Sequence, residues 1–222
     1  MHMTTMTALA LAAAQLSAVG QTGVTTPAPA TVKGSPATFD LAGFRLGMSE
    51  AEAERVLKER GMTVRRRTRA ITFEDRVRQA VNLRGGRLPL KGGSVLNNAD
   101  IDDGKGGRIM IRMLGWPDGA RVRSITYIVR AGTEPAAWRT LLVGKYGPPS
   151  RDSGTIDGEG LHARWCGQAA CLGEGGVFRL YADVNARGGT IALSQPEGTS
   201  SVVSDLVERE ASKRGLGGKP AL

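Results

Sequence analysis

Two segments of the chain repeat one pattern, in which a capped helix ends at glycine and strands follow it. Ser49 begins the first helix and Gly61 ends it, while Thr133 begins the second and Gly147 ends it. Serine and threonine accept hydrogen bonds from the free N–H groups of a first helical turn, and glycine readily adopts the left-handed conformation that stops a helix. The repeat predicts one α+β domain over residues 39–215. Its antiparallel sheet would be built from two helix-plus-meander units, 39–130 and 131–215.

The first unit contains the clearest local signals. Ser49 and Glu52 have the spacing of a capping box, and Ala53, Val56 and Leu57 form the apolar stripe of the helix that follows. Alternating apolar residues predict a hairpin of two strands, at 108–114 and 121–130, around a turn at 115–119. A strand at 62–70 and a second helix beginning near Phe73 are expected before this hairpin.

The second unit begins with a helix capped by Thr133, with an apolar stripe of Trp138, Leu141 and Leu142. Strands are predicted at residues 161–166, 177–184 and 190–194. A final helix over about 200–214 presents apolar residues on one side and is expected to cover a face of the sheet; these residues are Val203, Leu206, Val207 and Ala211.

Residues 84–107 contain seven glycines and no clear periodicity, so we expect a long loop or mobile insertion. Its polar end offers oxygen ligands for calcium at Asn98, Asp100, Asp102 and Asp103. The spacing departs from the EF-hand, because glycine falls at the seventh position and Ile109 replaces the closing glutamate. A nonstandard calcium loop and a solvated turn both stay open.

The N-terminus predicts export. No Asp, Glu, Lys or Arg occurs in the first 32 residues, and the apolar run at 8–20 has the length of a signal-peptide core although a basic segment before it is missing. We interpret residues 1–20 as a signal peptide and 21–38 as a flexible leader, with a disordered Ala/Thr-rich tail as the alternative for the signal. Residues 216–222 are expected to be a disordered tail. No transmembrane segment is expected, and the periplasm is the predicted location.

The chain carries a net charge of +9 at pH 7. Such an excess favours an anionic partner, either another envelope protein or an anionic envelope surface, although an arginine-rich composition alone can produce it. Arg65, Arg66 and Arg67 form the densest basic cluster and are candidate partner-surface residues. No nucleic-acid partner is expected, because the cluster lacks the interleaved aromatic residues that stack on bases.

Cys166 and Cys171 are the only cysteines. In an exported protein, two cysteines this close most simply form a disulfide. A zinc site with His162 would need a fourth ligand from Asp157, Glu159 or Glu174, because the mature chain has no further His or Cys. The disulfide is therefore the favoured interpretation, and neither a metal nor a cofactor is expected.

Two motifs carry a resemblance to known families: Phe-Arg-Leu-Gly-Met-Ser at 44–49 and Lys-Tyr-Gly-Pro-Pro at 145–149. With the helix-to-meander order, they resemble the small outer-membrane-assembly lipoproteins of the BamE/SmpA type. The chain is also similar to the tandem helix-and-sheet modules of β-lactamase-inhibitor-like proteins. The resemblance implies a periplasmic adaptor that binds other proteins without catalysis. The chain departs from the lipoproteins because it has no lipid-attachment cysteine after the predicted signal.

No nucleophile elbow, Walker loop or dinucleotide fingerprint occurs in the sequence, so an enzyme is not expected. The predicted function is that of an exported, non-catalytic module that binds a protein or associates with the envelope. A small-ligand or calcium-binding protein that uses residues 84–107 is the alternative. Trp116, placed by the pattern in a turn, is a candidate partner anchor because exposed tryptophans often contribute strongly to interfaces. The sequence does not indicate an oligomeric state.

Export has a direct test. If residues 1–20 are a signal peptide, the protein recovered from the periplasm should begin at or near Gln21, because signal peptidase removes the segment during export. N-terminal sequencing of the periplasmic protein checks this. An intact Met1 on protein confined to the cytosol would contradict both the location and the oxidising environment expected for the cysteines.

Overall fold

The computed structural model describes residues 34–89, 93–152, 160–166, 171 and 177–215. The predicted signal peptide, most of the leader and the predicted tail at 216–222 lie outside these residues. The first unit runs through β1 (Asp40–Leu41), β2 (Phe44–Arg45), α1 (Glu50–Glu59), β3 (Thr63–Ala70), α2 (Phe73–Arg84), β4 (Val95–Asp102), β5 (Arg108–Trp116) and β6 (Gly119–Val129). The second runs through α3 (Pro135–Tyr146), β7 (Arg151–Asp152), β8 (Leu161–Cys166), β9 (Arg179–Asn185), β10 (Gly188–Ser194) and α4 (Thr199–Gly215).

Eight strands form one antiparallel sheet in the order β3-β4-β5-β6-β10-β9-β8-β7. Each unit contains two helices and contributes four strands to this sheet, and the last strands of the two units, β6 and β10, pair along the middle of the sheet. A separate two-stranded ribbon of β1 and β2 precedes α1. The predicted α+β class, with an antiparallel sheet and a C-terminal helix, is confirmed.

Helix α1 begins as its sequence predicts. The Ser49 hydroxyl accepts a hydrogen bond from the N–H of Glu52 (3.2 Å), and the Glu52 carboxylate accepts one from the N–H of Ser49 (2.7 Å). These reciprocal bonds lower the pKa of Glu52 and satisfy two N–H groups that have no partner inside the helix. The buried side of the helix presents Ala53 and Leu57 to the sheet.

Helix α3 differs from its prediction in two respects. Its N-cap is Glu134 without a side-chain bond, and Thr133 donates instead to the carbonyl of Arg130 (2.9 Å). Leu141 is not in the buried stripe but 56% exposed. The inward positions are Trp138, Leu142 and Tyr146, which are four residues apart and therefore lie along one side of the helix.

The main core lies between one face of the sheet and helices α1 and α3. We call this face the covered face. Trp165 is 1% exposed there and donates its indole N–H to the carbonyl of Gly147 (2.8 Å), which joins β8 to the end of α3. Aliphatic side chains of both units fill the remaining space, including Ile101, Ile111, Ile125, Leu180, Ile191 and Leu193.

Packed structure begins before residue 38, where the predicted flexible leader ends. Ser35 caps a short 3-10 helix at Pro36–Thr38, in which Pro36 is buried. Phe39 then packs on Tyr146, with ring centroids 4.5 Å apart, and the Tyr146 hydroxyl donates to the carbonyl of Asp40 (2.5 Å). The boundary of the flexible leader at residue 38 is therefore wrong, because the residues just before it already belong to the packed structure.

The largest correction concerns residues 84–107. Instead of a loop throughout, residues 95–102 form β4, which lies between β3 and β5 in the sheet. Buried Leu96 and Ala99 are three residues apart because the pairing with β3 shifts at Asn97, where β4 has one extra residue. This bulge breaks the alternation by which a strand is recognised in a sequence.

Helices α2 and α4 form a second, smaller apolar cluster, which consists of Phe73, Val77, Val203, Val207 and Ala211. Salt bridges join the two helices at both ends of this contact, Arg84 with Glu208 (2.6 Å) and Arg214 with Glu74. The predicted covering helix is thus present, but its apolar side packs mainly against α2. The pair packs against Leu114 and Trp116, which lie at the C-terminal end of β5.

The two cysteines meet at the end of β8. Their Sγ atoms are 2.05 Å apart, which is disulfide distance, and their Cα atoms are 5.4 Å apart. Both thiols are occupied by this bond, so neither is available as a zinc ligand beside His162.

Reducing this disulfide should destabilise the protein modestly. Opening so short a closed loop costs about 2 kcal/mol on the chain-entropy estimate, because the unfolded chain regains freedom. Thermal melting with and without reductant checks this, with the Cys166→Ser/Cys171→Ser variant as a control that should no longer respond to reductant. Free thiols in the denatured, unreduced protein would contradict the pairing.

Candidate functional site

The candidate site is the face of the sheet opposite the main core, which we call the open face. Side chains alternate between the two faces along each strand, so residues paired in register share a face. One row across the open face consists of Arg66, Asp100, Met110, Thr126, Ala192, Tyr181 and Arg164. All are half-buried or exposed. In the described chain, the helices packed on this face are α2 and α4, which contact it at the C-terminal end of β5.

Long side chains lie on both sides of this face and short ones along its middle. Ser124, Thr126, Ala192 and Ser194 occupy the paired central strands β6 and β10. Arginines lie on both flanks, with Arg66, Arg108 and Arg112 toward β3 and Arg164 and Arg179 toward β8. The result is a shallow valley of small polar residues between two basic margins.

The β3 margin contains a concave trough of about 490 Å³, which we call the arginine trough. Its lining consists of Arg66, Thr68, Asn98, Ala99, Asp100, Arg108, Met110, Ile111 and Arg112. These residues come from three strands and are brought together only by the register of the sheet.

One carboxylate lies among the three arginines of this trough. Arg108 donates Nε to Asp100 Oδ1 (2.6 Å) and its Nη2 to Asp100 Oδ2. These bonds lower the pKa of Asp100, and the nearby positive charges of Arg65 and Arg66 act in the same direction. In the part of the chain that the structure describes, neither Arg66 nor Arg112 has an ion pair within 4.0 Å.

The structure separates the predicted Arg65, Arg66 and Arg67 cluster. Arg65 is the extra residue of a register shift in β3 and pairs with Asp102 (3.2 Å). Arg67 extends toward α1, where it pairs with Glu54 (2.6 Å). Of the three, only Arg66 lines the trough. The cluster is therefore not one surface, because Arg67 points to the covered face while Arg65 and Arg66 lie near the open-face carboxylates.

The four calcium candidates do not converge on one point. Asn98, Asp100 and Asp102 alternate along β4, where Asn98 donates to the hydroxyl of Thr68 (3.1 Å). Asp103 lies in the following turn and accepts bonds from the N–H of Gly107 (2.7 Å) and the hydroxyl of Tyr127 (2.9 Å). No group of three or more His, Cys, Asp or Glu side chains in the described ranges is arranged to hold a metal ion.

Trp116 is not in a turn. It is the last residue of β5, paired with Gly119, and only two residues connect the strands. Its half-buried ring packs against the α2–α4 cluster and lines a groove with Phe178 and Val202. The side chain therefore contributes to the packing of that cluster.

The opposite margin contains Tyr181, Asp183 and His162. The Tyr181 hydroxyl donates to Asp183 Oδ2 (2.8 Å), and partial burial together with this bond raises the pKa of Tyr181 to about 12. His162 Nδ1 lies 3.9 Å from Asp183 Oδ2, and the His162 ring packs edge-on against Tyr181.

Sequence analysis missed Arg108 and Arg112 as site residues. Both alternate with the buried apolar residues of β5, and this alternation in the sequence already indicates that they lie on the other face of the sheet. Their meeting with Arg66 depends on β4, the strand that was predicted as a loop.

Comparisons with protein-family models, curated proteins and solved structures found no match to this chain. None of the described helices is both long and apolar enough to cross a membrane.

Replacing Trp116 should lower stability. Trp116→Ala removes half-buried packing from the α2–α4 cluster and should lower the free energy of unfolding by about 2 kcal/mol, measured by denaturant titration. The matched control is Leu141→Ala, which removes an exposed side chain and should change it by less than about 0.5 kcal/mol. Equal, negligible effects of the two substitutions would show that Trp116 is free for another role.

Proposed function

We propose that this protein is an exported, periplasmic, non-catalytic module that binds another protein through the open face of its sheet. The observation that carries the proposal is the asymmetry of the sheet: both large helices of the main core, α1 and α3, lie on the covered face. The open face presents a broad polar surface instead, and α2 and α4 cover it at the C-terminal end of β5.

The size of this surface suits a protein partner. At roughly 4.8 Å between strands and 3.3 Å per residue, the seven strands of six or more residues span on the order of 600 Å², part of which the α2–α4 pair covers. A typical specific interface buries about 800 Å² on each partner, with a polar rim. A shallow valley fits such a contact better than an enclosed pocket for a small molecule.

Two carboxylates of the open face, Asp100 and Asp183, are each held by a neighbouring side chain. Asp100 is held by Arg108, and Asp183 accepts a hydrogen bond from the Tyr181 hydroxyl. Such pairing fixes the side chains in position before a partner arrives, which reduces the entropy lost on binding. This arrangement favours docking over acid-base chemistry as the role of the face.

Two observations support the proposed location. The apolar run at residues 8–20 has the length of a signal-peptide core, and a cysteine pair at disulfide distance suits an oxidising compartment. A helix followed by four antiparallel strands occurs in both units, with α2 inserted after the first strand in the first unit, and this order supports the proposed relationship to adaptor lipoproteins and inhibitor-like modules.

Site-specific photo-crosslinking in the periplasm of the native host tests the proposal. A photoreactive residue at Thr126 or at Ala192, which are paired in the middle of the open face, should each yield the same protein adduct. Ala137 on the exposed side of α3 is the control position and should not yield it. The absence of an adduct from both open-face positions, or an equal yield from Ala137, would contradict the proposal.

The effect of added calcium on the melting temperature distinguishes the alternative calcium-binding function from the proposed protein-binding function. A rise in melting temperature with added calcium, lost in Asp100→Asn or Asp103→Asn, would favour a calcium-binding protein, because a ligand that binds the folded state stabilises it. On the proposed function, calcium leaves the melting temperature unchanged.

A further inference from the structure

The arginine trough has an excess of positive charge that the described chain does not neutralise. It contains three guanidinium groups, of Arg66, Arg108 and Arg112, and one carboxylate, of Asp100. If all four groups are charged at neutral pH, the trough retains two positive charges. This excess attracts an anion, and the attraction weakens as salt is added because all three arginines are exposed.

Among the described residues, competition for Asp100 leaves Arg66 without an ion pair within 4.0 Å. Arg66 is directly opposite Asp100 in the register of β3 and β4. Both oxygens of Asp100 nevertheless accept bonds from Arg108, which holds them with two donors of one planar guanidinium group. Arg112, across from Asn98, has no carboxylate opposite it. Two guanidinium groups therefore remain with unused hydrogen-bond donors.

The spacing of these two groups indicates the shape of the anion. Arg66 and Arg112 lie on strands separated by β4 and are offset by one register pair of the open face, so their Cα atoms are roughly 12 Å apart on sheet geometry. A single small anion cannot bridge this distance without drawing both side chains together. In an extended chain, side chains four residues apart on one face are roughly 13 Å apart.

We propose that the arginine trough binds an acidic segment of the partner protein, in which two carboxylates about four residues apart pair with Arg66 and Arg112. This inference rests on the proposed function and names the chemistry of the partner. Met110 forms an apolar part of the trough between the two arginines and contacts the aliphatic portion of the segment.

Charge and shape favour a protein segment over a membrane or a nucleic acid. A flat bilayer does not follow the concave lining of the trough, and a uniformly anionic surface places negative charge against Asp100 as well as against the free arginines. The trough lining contains no aromatic side chain on which a base could stack. A peptide can place carboxylates at the two free arginines and none opposite Asp100.

The test uses a 15-residue peptide in which Glu recurs at every fourth position and Thr fills the others, with binding measured by calorimetry. Arg66→Gln/Arg112→Gln should weaken binding at least tenfold. The matched control is Arg55→Gln/Arg187→Gln, which removes the same charge from exposed arginines outside the trough and should weaken binding less than twofold. A peptide with Gln in place of Glu should not bind.

Three results would overturn the inference. Equal losses in the two double variants would show attraction by overall charge alone, and binding of the Gln peptide would exclude recognition of carboxylates. Binding of phosphatidylglycerol vesicles or duplex DNA that depends on Arg66 and Arg112, without peptide binding, would assign the trough to another class of partner. Unchanged melting temperatures exclude misfolding as the cause of a loss.

Crosslinking separates this inference from the proposed function. If the adduct from Thr126 persists at full yield in Arg66→Gln/Arg112→Gln, the open face binds a partner but the trough does not contribute. If the adduct is lost in this variant and kept in Arg55→Gln/Arg187→Gln, both hold. If wild-type protein forms no adduct yet binds the acidic peptide through the trough, the proposed function fails, whereas the chemistry assigned to the trough stands.

Discussion

The pairing of β6 with β10 is the contact on which the rest of the molecule depends. Residues 124–129 pair with 189–194 and thereby join the meanders of the two units into one sheet. Without this pairing, each unit would be a four-stranded sheet with an exposed central edge and half of a core. Gly188 permits the close approach, because a Cβ there would lie 2.6 Å from the carbonyl oxygen of Val129 on β6. The pairing therefore creates both the shared core on one face and the continuous valley on the other.

The two faces of the sheet have different roles because single-residue bulges in β3 and β4 interrupt the alternation of side chains. The extra residue at Asn97 lets Leu96 and Ala99 both face the core while Asn98 and Asp100 face the open side. The extra residue at Arg65 similarly leaves Arg66 opposite Asp100. The bulges thus set the composition of the trough, and a regular β4 would place its carboxylates differently relative to the arginines.

Local features of the fold could be predicted and nonlocal ones could not. The capping box of α1 involves residues three apart, and the β5–β6 hairpin involves neighbouring strands, so the sequence contains both signals directly. Strand β4 was missed because its bulge disrupts the alternation, and Trp116 was misplaced because the turn has only two residues. The trough joins Arg66 to Arg112, which are distant in sequence and meet only through β4. The polarity of the site was therefore predictable, but its geometry was not.

The order of the strands also determines how the molecule behaves toward copies of itself. An unpaired edge strand can recruit the edge of another sheet and begin aggregation. Here one edge is β3, which carries four arginines, and the other is the two-residue β7 with Arg151. Like charges on the longer edge repel a second copy, and the shorter edge offers too few backbone groups for stable pairing. The same arginine-rich strand that borders the trough thus makes this edge of the sheet an unfavourable place for a second copy to pair.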